Sequence, residues 1–232
     1  MLRNVIFYLA FFPLTIFFSA LAASSRRVAP WAARAWSGLV VRAAGLSVRA
    51  DLAALDPAQR YIFIVNHQSQ LDIPVLTHVL RARHVGFVAK ESLFRIPLFG
   101  KALECAGHVS VDRSNPRRAM KSLEEAAAKA REGANILVFA EGTRQKDLEA
   151  LGEFKVGGMI LALKTGLPVA PLVVCGTGDA LPKGRLLLRR APIRVRALPP
   201  VAAGSYTLKQ REQFRDDLRA LMNAAYLELR RE

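Results

Sequence analysis

Residues 61–72 read YIFIVNHQSQLD, where a strand pattern gives way to a polar turn. The apolar run from Tyr61 to Val65 predicts a buried strand. His67 follows this run closely, and Asp72 comes five positions later, near the start of the next helical pattern. Positions five apart on a helix point about 140° away from each other, so these two side chains can meet only across the turn. The stretch therefore predicts a strand, a turn and a helix, with an imidazole and a carboxylate flanking the turn.

The helix after this turn has two possible starting points. A capping box from Ser69 to Asp72 would close a helix that begins just after Ser69. Pro74 would then be the fifth helical residue and would remove a backbone hydrogen bond that the helix needs. A start near Asp72 leaves Pro74 in the tolerant first turn, which favours Asp72 itself as the cap. The His67–Asp72 pair stays open to three interpretations: a catalytic pair, a metal-ligand pair, or the ordinary polar start of a helix.

Short apolar runs alternate with longer helical patterns from residue 46 onward. Strands are predicted at 46–50, 61–66, 84–90, 108–112, 135–140, 168–174 and 193–198, and helices at about 73–83, 116–131, 155–165 and 207–230. This alternation predicts an α/β domain with a mixed, largely parallel sheet flanked by helices. Ligands gather at the carboxyl ends of strands in such sheets. Polar clusters follow three of the predicted strands, at Asn66-His67, Asp112-Arg113 and 141–144.

The composition suits one substantial domain with a packed core, because 52% of the 232 residues are hydrophobic and 23% are charged. The net charge of +15 implies a negatively charged partner, such as nucleic acid, anionic lipid, or a phosphorylated or CoA-type small molecule. Basic residues are scattered and no nucleic-acid-binding motif accompanies them, so lipid is favoured. Cys105 and Cys175 lie far apart, which argues against a zinc site and a disulfide scaffold and favours a reducing compartment.

The N-terminal segment is apolar enough to meet a membrane. Residues 5–23 carry no charge and come close to the roughly 20 apolar residues that cross a bilayer core. A cleaved signal peptide is an alternative because the segment ends in ALAAS, although the uncharged run exceeds the usual apolar region of about 7–15 residues. Arg26-Arg27 follow the segment at once. A buried helix of a soluble domain is the remaining interpretation.

A second helix is predicted between Pro30 and Gly45. Its apolar face carries Trp36, Leu39, Val40 and Ala43, with Arg34 opposite and Arg42 at the flank. This pattern favours a helix that lies in the interface of an anionic bilayer, and packing onto its own domain is the alternative. Residues 1–45 are therefore predicted to attach the chain to a membrane, ahead of an α/β domain at 46–232.

The cluster at 141–144 offers groups that suit phosphate. Glu141-Gly142-Thr143-Arg144 supplies backbone N–H groups at a glycine, a hydroxyl and a guanidinium. Arg113 adds a second guanidinium after another predicted strand. Each arginine alone is more typical of a solvated charge or a surface ion pair, but two at strand ends, on the side where His67 lies, favour a phosphate site.

Other chemistries lack the residues they need. The remaining histidines, His78, His84 and His108, are not spaced to join His67 as a metal-chelating set, so no metal is expected. A serine-hydrolase site is not supported because the chain has no G-x-S-x-G sequence. The pair would then act as a base on a hydroxyl that a bound substrate supplies.

Together these stretches resemble the 1-acylglycerol-3-phosphate acyltransferase family, the lysophosphatidate acyltransferases of phospholipid synthesis. The family's blocks appear in order as NHQSQLD, GHVSVDR, FAEGTR followed by FKVGG, and LPVAPLVV. KESLFRIPLFG, between the first two blocks, also looks like the family. The similarity runs from about residue 46 to 185.

The resemblance implies direct acyl transfer, without an acyl-enzyme, from acyl-CoA or acyl-carrier protein to the sn-2 hydroxyl of lysophosphatidate. It implies His67 as the general base and Asp72 as its orienting partner. The acceptor phosphate would lie among Lys90, Arg113, Glu141, Gly142, Thr143 and Arg144. The acyl donor is a co-substrate, and no cofactor is expected. The reaction would take place at the cytoplasmic face of the inner or plasma membrane.

Two departures from the family pattern bear on the acceptor. Ala140 replaces the proline of the third block, and Ser110 stands where the family usually has an apolar residue. Both leave the catalytic chemistry intact and leave the acceptor open. Another lyso-lipid, such as a lyso-ornithine lipid, is one alternative, and a non-catalytic lipid-binding member of the fold is another.

Overall fold

A sheet of seven strands runs through the computed structural model, which describes residues 2–112 and 115–232. The strands are β1 (Ser47–Asp51), β2 (Ile62–Val65), β3 (Val85–Lys90), β4 (Val109–Val111), β5 (Asn135–Phe139), β6 (Val169–Cys175) and β7 (Pro192–Ala197). Their order is β1-β7-β6-β2-β5-β3-β4, and every neighbouring pair is parallel except β6 and β7. The predicted mixed, largely parallel sheet is confirmed.

Helices alternate with these strands. They are α1 (Leu2–Ser24), α2 (Ala29–Ala43), α3 (Asp72–Val79), α4 (Glu91–Phe94), α5 (Phe99–Cys105), α6 (Pro116–Arg131), α7 (Gly157–Thr165), α8 (Thr177–Ala180) and α9 (Arg211–Arg231). The side chain of Asn115 caps α6 by accepting hydrogen bonds from two backbone N–H groups, and Pro116 opens the helix. The short helices α4 and α5 were not predicted, because their apolar residues form no period long enough to distinguish them from loop.

The central strand β2 is buried on both faces of the sheet. Ile62 and Ile64 point into a core that α6, α7 and α9 cover, whereas Phe63 and Val65 point into a second core that α3 covers. Alternate side chains of a strand face opposite sides, so a strand between two helical layers is apolar throughout. The parallel neighbours of β2 bring their carboxyl ends to the same edge of the sheet as His67.

The N-terminal helix α1 lies against the domain along much of its length. Phe7 packs with α2 and Leu188, and Phe18 and Ala22 pack with α5. Its opposite face is exposed and apolar. Among the described residues, one helical segment, Arg3–Ser24, is long and apolar enough to cross a membrane by length and composition, with a mean hydropathy of 2.2.

The apolar face of α2 points mainly into the protein, not toward solvent. Val40 is fully buried, and Trp36 donates a hydrogen bond from Nε1 to Thr15 Oγ1 of α1 at 3.0 Å. Leu39 is the more exposed member of the face. The prediction that α2 lies in the membrane interface through this face is wrong, because α1 and α3 pack beside it.

The helix after the opening stretch begins at Asp72, so Pro74 falls in its first turn, as predicted. Asp72 is the first helical residue and Leu71 occupies the cap position, which corrects the interpretation of Asp72 as the cap. Half of the alternative capping box is present, since Asp72 Oδ2 accepts a hydrogen bond from the backbone N–H of Ser69 at 2.9 Å. The strand, turn and helix therefore join at the residues that the sequence indicated.

A tight turn after β6 gives a stability prediction. Gly176 has a φ of +91°, and a Cβ there would lie 2.0 Å from the carbonyl oxygen of Pro192. Gly176→Ala should lower the free energy of unfolding by more than about 2 kcal/mol, because left-handed strain and a backbone clash both oppose it. Gly166→Ala is a matched control, since Gly166 has a φ of +70° and open space around its Cβ position. Urea unfolding should show a clearly smaller loss for the control, and equal losses would contradict the clash.

Candidate active site

His67 and Asp72 meet across the turn between β2 and α3. The distance from His67 Nδ1 to Asp72 Oδ2 is 2.7 Å, with Asp72 completely buried and 16% of the His67 side chain exposed. The backbone fixes this distance, because His67 follows the last residues of the central strand and Asp72 begins the helix. The structure thus shows the contact that the spacing predicted.

Asp72 is surrounded by hydrogen-bond donors. Its Oδ2 accepts from His67 Nδ1 and from the backbone N–H groups of Gln68 and Ser69, at 2.8 and 2.9 Å for the backbone groups. Its Oδ1 accepts from the hydroxyl of Thr177, the first residue of α8. A carboxylate can accept all of these bonds, whereas a buried protonated carboxyl would compete with one of the donors. The site is therefore built for a charged Asp72.

The imidazole of His67 is held in one orientation. Its ring stacks on Phe139, the last residue of β5, with centroids 3.9 Å apart and planes 16° apart. Because Nδ1 donates its proton to Asp72, Nε2 of the neutral ring carries the free lone pair. Within residues 2–112 and 115–232, no serine, threonine or cysteine side chain forms a hydrogen bond with Nε2. The geometry gives an oriented base whose basic nitrogen is left for a substrate group.

Glu141 holds the two loops of the site together. Its buried carboxylate accepts a hydrogen bond from the backbone N–H of His67 at 2.6 Å and from that of Gly152 at 2.9 Å. Burial raises the pKa of the Glu141 carboxyl to about 7, although those two N–H groups oppose the shift. Because the folded protein binds this proton more tightly than the unfolded chain, protonated Glu141 stabilises the fold. This stabilisation is complete below the ordinary pKa of 4.5 and is lost as the pH rises through 7. This geometry favours a positioning role for Glu141 over the predicted contact with phosphate.

The other predicted phosphate residues lie around the same edge. Gly142 and Thr143 follow β5, and Arg144 is half-buried with no hydrogen-bond partner in the described part of the chain. Lys90 is the exposed last residue of β3, beside β4. Arg113 lies outside the described residues.

Two contacts of the site were not predicted from the sequence. The first is the hydrogen bond from Thr177 to Asp72. Thr177 follows β6 as His67 follows β2, so its position after a strand is a signal that the sequence does contain. Gln68 Nε2 donates to the hydroxyl of Tyr226 in α9 at 2.7 Å, and that hydroxyl donates to the carbonyl oxygen of Leu148. No local pattern reveals a contact over 158 positions.

An apolar cavity of about 130 Å³ lies on the α3 side of the sheet. Its walls come from α1, α2, α3 and α5, and Phe87 of β3 lines it. The Phe87 ring lies 6.4 Å from that of Phe139, which carries the His67 ring. No group of three or more histidine, cysteine, aspartate or glutamate side chains that could hold a metal ion occurs within the described residues.

A known protein family has a sequence pattern that this chain matches. The family model described as Acyltransferase matches residues 48–175, which is more than half of the chain and includes both His67 and Asp72. The chain belongs to the acyltransferase family. The predicted resemblance is thereby confirmed.

Curated acyltransferases are similar to this chain. A 1-acyl-sn-glycerol-3-phosphate acyltransferase from Limnanthes douglasii is 34% identical over 178 residues, covering 76% of this chain and 62% of the relative. The protein of the same name from Salmonella typhimurium is 30% identical, covering 74% of this chain and 69% of the relative. The chain thus spans about three fifths of the plant relative's length.

A solved acyltransferase has the same fold. The crystal structure of the 1-acyl-sn-glycerophosphate (LPA) acyltransferase PlsC from Thermotoga maritima superposes with a TM-score of 0.81. The match covers 100% of this chain and 96% of that one at 24% identity. The similarity therefore includes the N-terminal helices as well as the sheet.

Proposed function

We propose that this acyltransferase transfers an acyl chain to the sn-2 hydroxyl of lysophosphatidate and forms phosphatidate. The observation that carries the proposal is the oriented His67 base, whose Nε2 has no protein nucleophile to activate in the described residues. The relatives named 1-acyl-sn-glycerol-3-phosphate acyltransferase support the choice of acceptor.

In the proposed reaction, His67 Nε2 takes the proton of the acceptor hydroxyl. The resulting oxygen attacks the thioester carbonyl of acyl-CoA or acyl-carrier protein. The C–S bond breaks as the tetrahedral intermediate collapses, and the imidazolium returns the proton to the leaving thiolate. The acyl group passes directly from donor to acceptor, so neither an acyl-enzyme nor a cofactor takes part.

Asp72 assists this reaction in two ways. Its Oδ2 holds the proton on Nδ1, which keeps the lone pair on Nε2 and fixes the ring plane. Its negative charge then stabilises the imidazolium that forms during the attack. Because the carboxylate is buried, this interaction is less screened by water than a surface ion pair would be.

The acceptor phosphate is placed at the carboxyl edge of the sheet. Arg144, Lys90 and Arg113 would supply positive charge, and Gly142 and Thr143 would supply an N–H group and a hydroxyl. Lys183 joins this set, because its Nζ lies 3.4 Å from Thr143 Oγ1. The apolar cavity beside Phe87 is large enough for part of a hydrocarbon chain.

Residues 1–45 are proposed to attach the domain at 46–232 to an anionic membrane at its cytoplasmic face, where acyl-CoA and acyl-carrier protein are available. The exposed apolar face of α1 supports this attachment. Because the opposite face packs on the domain, α1 is placed along the bilayer surface with the active-site domain beside it.

A panel of acceptors tests the proposed substrate. Purified protein is supplied with labelled acyl-CoA or acyl-carrier protein and with lysophosphatidate, lysophosphatidylcholine or a lyso-ornithine lipid in turn. Lysophosphatidate should give the highest kcat/KM. Acylation of another lyso-lipid in preference to it would assign the same chemistry to that acceptor, and no acylation of any acceptor would favour a non-catalytic lipid-binding role.

Arg144 gives a prediction about the phosphate site. Arg144→Ala should raise the KM for lysophosphatidate by about 10–100-fold and leave the KM for the acyl donor unchanged, because a charge-assisted hydrogen bond is lost. Arg49→Ala is the matched control, since Arg49 is exposed on the edge strand β1, whose β7 neighbour separates it from β6. An unchanged acceptor KM in the Arg144 variant would remove that residue from the phosphate site.

A further inference from the structure

The loop between α8 and β7, hereafter the 183–190 loop, combines exposed leucines with basic side chains. Its sequence is KGRLLLRR. Leu186 is 74% exposed and Leu187 is 59% exposed, although both are large apolar side chains. Leu188 beside them is buried against α1. Two adjacent exposed leucines in an anchored loop are typical of a surface that a partner covers.

Charge indicates the chemistry of that partner. Lys183, Arg185, Arg189 and Arg190 surround the leucines, and the loop contains no acidic residue. None of the four forms an ion pair with residues 2–112 or 115–232. By contrast, Arg194 and Arg196, further along the chain, form ion pairs with Glu232. Lys183 contacts Thr143, whereas the three arginines of the loop are available for an external anionic surface.

The loop is attached to the N-terminal end of α1. Tyr8 donates a hydrogen bond to the carbonyl oxygen of Leu186 at 2.8 Å, and Arg3 donates one to that of Leu188 at 2.6 Å. The Leu188 N–H in turn donates to the side chain of Asn4. These bonds leave the carbonyls of Leu186 and Leu188 already satisfied, which lowers the cost of placing the loop in a bilayer interface.

One of these contacts, that of Tyr8, lies beside the exposed stripe of α1. Val5, Leu9 and Phe12 are all more than half exposed on one side of the helix. At about 100° per residue, Tyr8 lies about 40–100° around the helix from each of them. Tyr8, which donates to the carbonyl oxygen of Leu186, therefore borders the apolar stripe of α1.

We propose that the 183–190 loop is a second membrane-docking element that binds an anionic bilayer. Leu186 and Leu187 enter the interface, and Arg185, Arg189 and Arg190 bind the phosphates of lipid headgroups. A basic side chain near an anionic surface strengthens binding roughly fivefold. The inference rests on the membrane attachment in the proposed function and extends it to a loop outside residues 1–45. It also places Lys183, which contacts Thr143, between the bilayer and the proposed phosphate site.

A fluorescent reporter at Leu187 tests this proposal. The full chain carrying Cys105→Ala, Cys175→Ala and Leu187→Cys is labelled with an environment-sensitive dye and reconstituted in nanodiscs. The discs contain phosphatidylcholine alone or with phosphatidylglycerol, each with and without doxyl-labelled lipid. Quenching should be at least about twofold stronger in the anionic discs, by the electrostatic gain expected for basic residues. A label at Ala58, exposed before β2 at the opposite edge of the sheet, should remain unquenched.

Further outcomes decide each part of the proposal. No quenching at position 187 would overturn it, and a Leu186→Cys label repeats the measurement if the first variant does not fold. Equal quenching in neutral and anionic discs would overturn the role of charge. Arg185→Gln, Arg189→Gln and Arg190→Gln together should reduce quenching to the neutral value, and no change would also count against the proposal. Because the readout is lipid contact, it is independent of whether lysophosphatidate is acylated.

Discussion

His67→Ala is expected to lower kcat for acyl transfer by roughly 10²–10⁴-fold, the usual contribution of a general base. His67 is the one histidine whose ring is held by a buried carboxylate at the carboxyl edge of the sheet in the described residues. Without it, the acceptor hydroxyl must attack with its proton still bound. Initial rates with labelled acyl donor and saturating lysophosphatidate give the measurement.

Controls separate this effect from a loss of folding. The His67 side chain is partly exposed and its main attachments are Asp72 and the Phe139 ring, so the variant should keep its unfolding midpoint within a small margin. His78→Ala is the matched control, because His78 is half-buried in the last turn of α3 and is not among the residues that line the apolar cavity. A wild-type rate in His67→Ala would contradict the base assignment, and an equal loss in His78→Ala would show that the assay reports stability.

Asp72→Asn is expected to lower kcat by at least about 10²-fold while leaving the local geometry in place. Three donors converge on Oδ2, so the amide oxygen of asparagine takes that place. The amide nitrogen then replaces Oδ1 and can donate to the Thr177 hydroxyl, which rotates to accept. The substitution thus removes the charge and retains the hydrogen bonds, so the lost rate measures how much the carboxylate stabilises the imidazolium.

Two further variants sharpen this measurement. Asp72→Ala would leave the N–H groups of Gln68 and Ser69 buried without acceptors, at a cost of about 1–3 kcal/mol each in unfolding free energy. Thr177→Val removes the hydroxyl that contacts Asp72 Oδ1 and Gln68 Oε1 but keeps the carboxylate charge, so its effect on kcat should be smaller than that of Asp72→Asn. A normal kcat in Asp72→Asn, with Asp72→Ala unstable, would limit Asp72 to a structural role.

Local sequence patterns predict this fold well, because the end of each strand in a parallel sheet fixes where the residues after it lie. The apolar run at 61–65 needs helices on both faces, and the strands around it are buried in the same way. Since parallel strands end at one edge, polar residues that follow different strands must come together. His67 and Glu141 are neighbours for this reason, although 74 positions separate them.

The remaining features depend on contacts between distant segments. The sequence places Glu141 among the phosphate ligands because its neighbours suit phosphate, but its burial and its bonds to His67 and Gly152 depend on how two loops pack. The orientation of α2 likewise depends on α1 and α3, which cover the face that was predicted to meet a membrane. A periodic pattern identifies an apolar face without identifying what covers it. The catalytic roles of His67 and Asp72 stay predictions, whereas their contact is a property of the structure.

A single-turnover experiment tests direct acyl transfer by His67 most directly. Wild-type protein in excess is mixed with acyl-labelled donor and lysophosphatidate, quenched at successive times, and separated into protein, donor and lipid fractions. Label should pass from donor to phosphatidate without appearing on the protein, and the His67→Ala variant should leave the label on the donor. Label that accumulates on the protein before phosphatidate, or phosphatidate formed at the same rate by His67→Ala, would contradict the account.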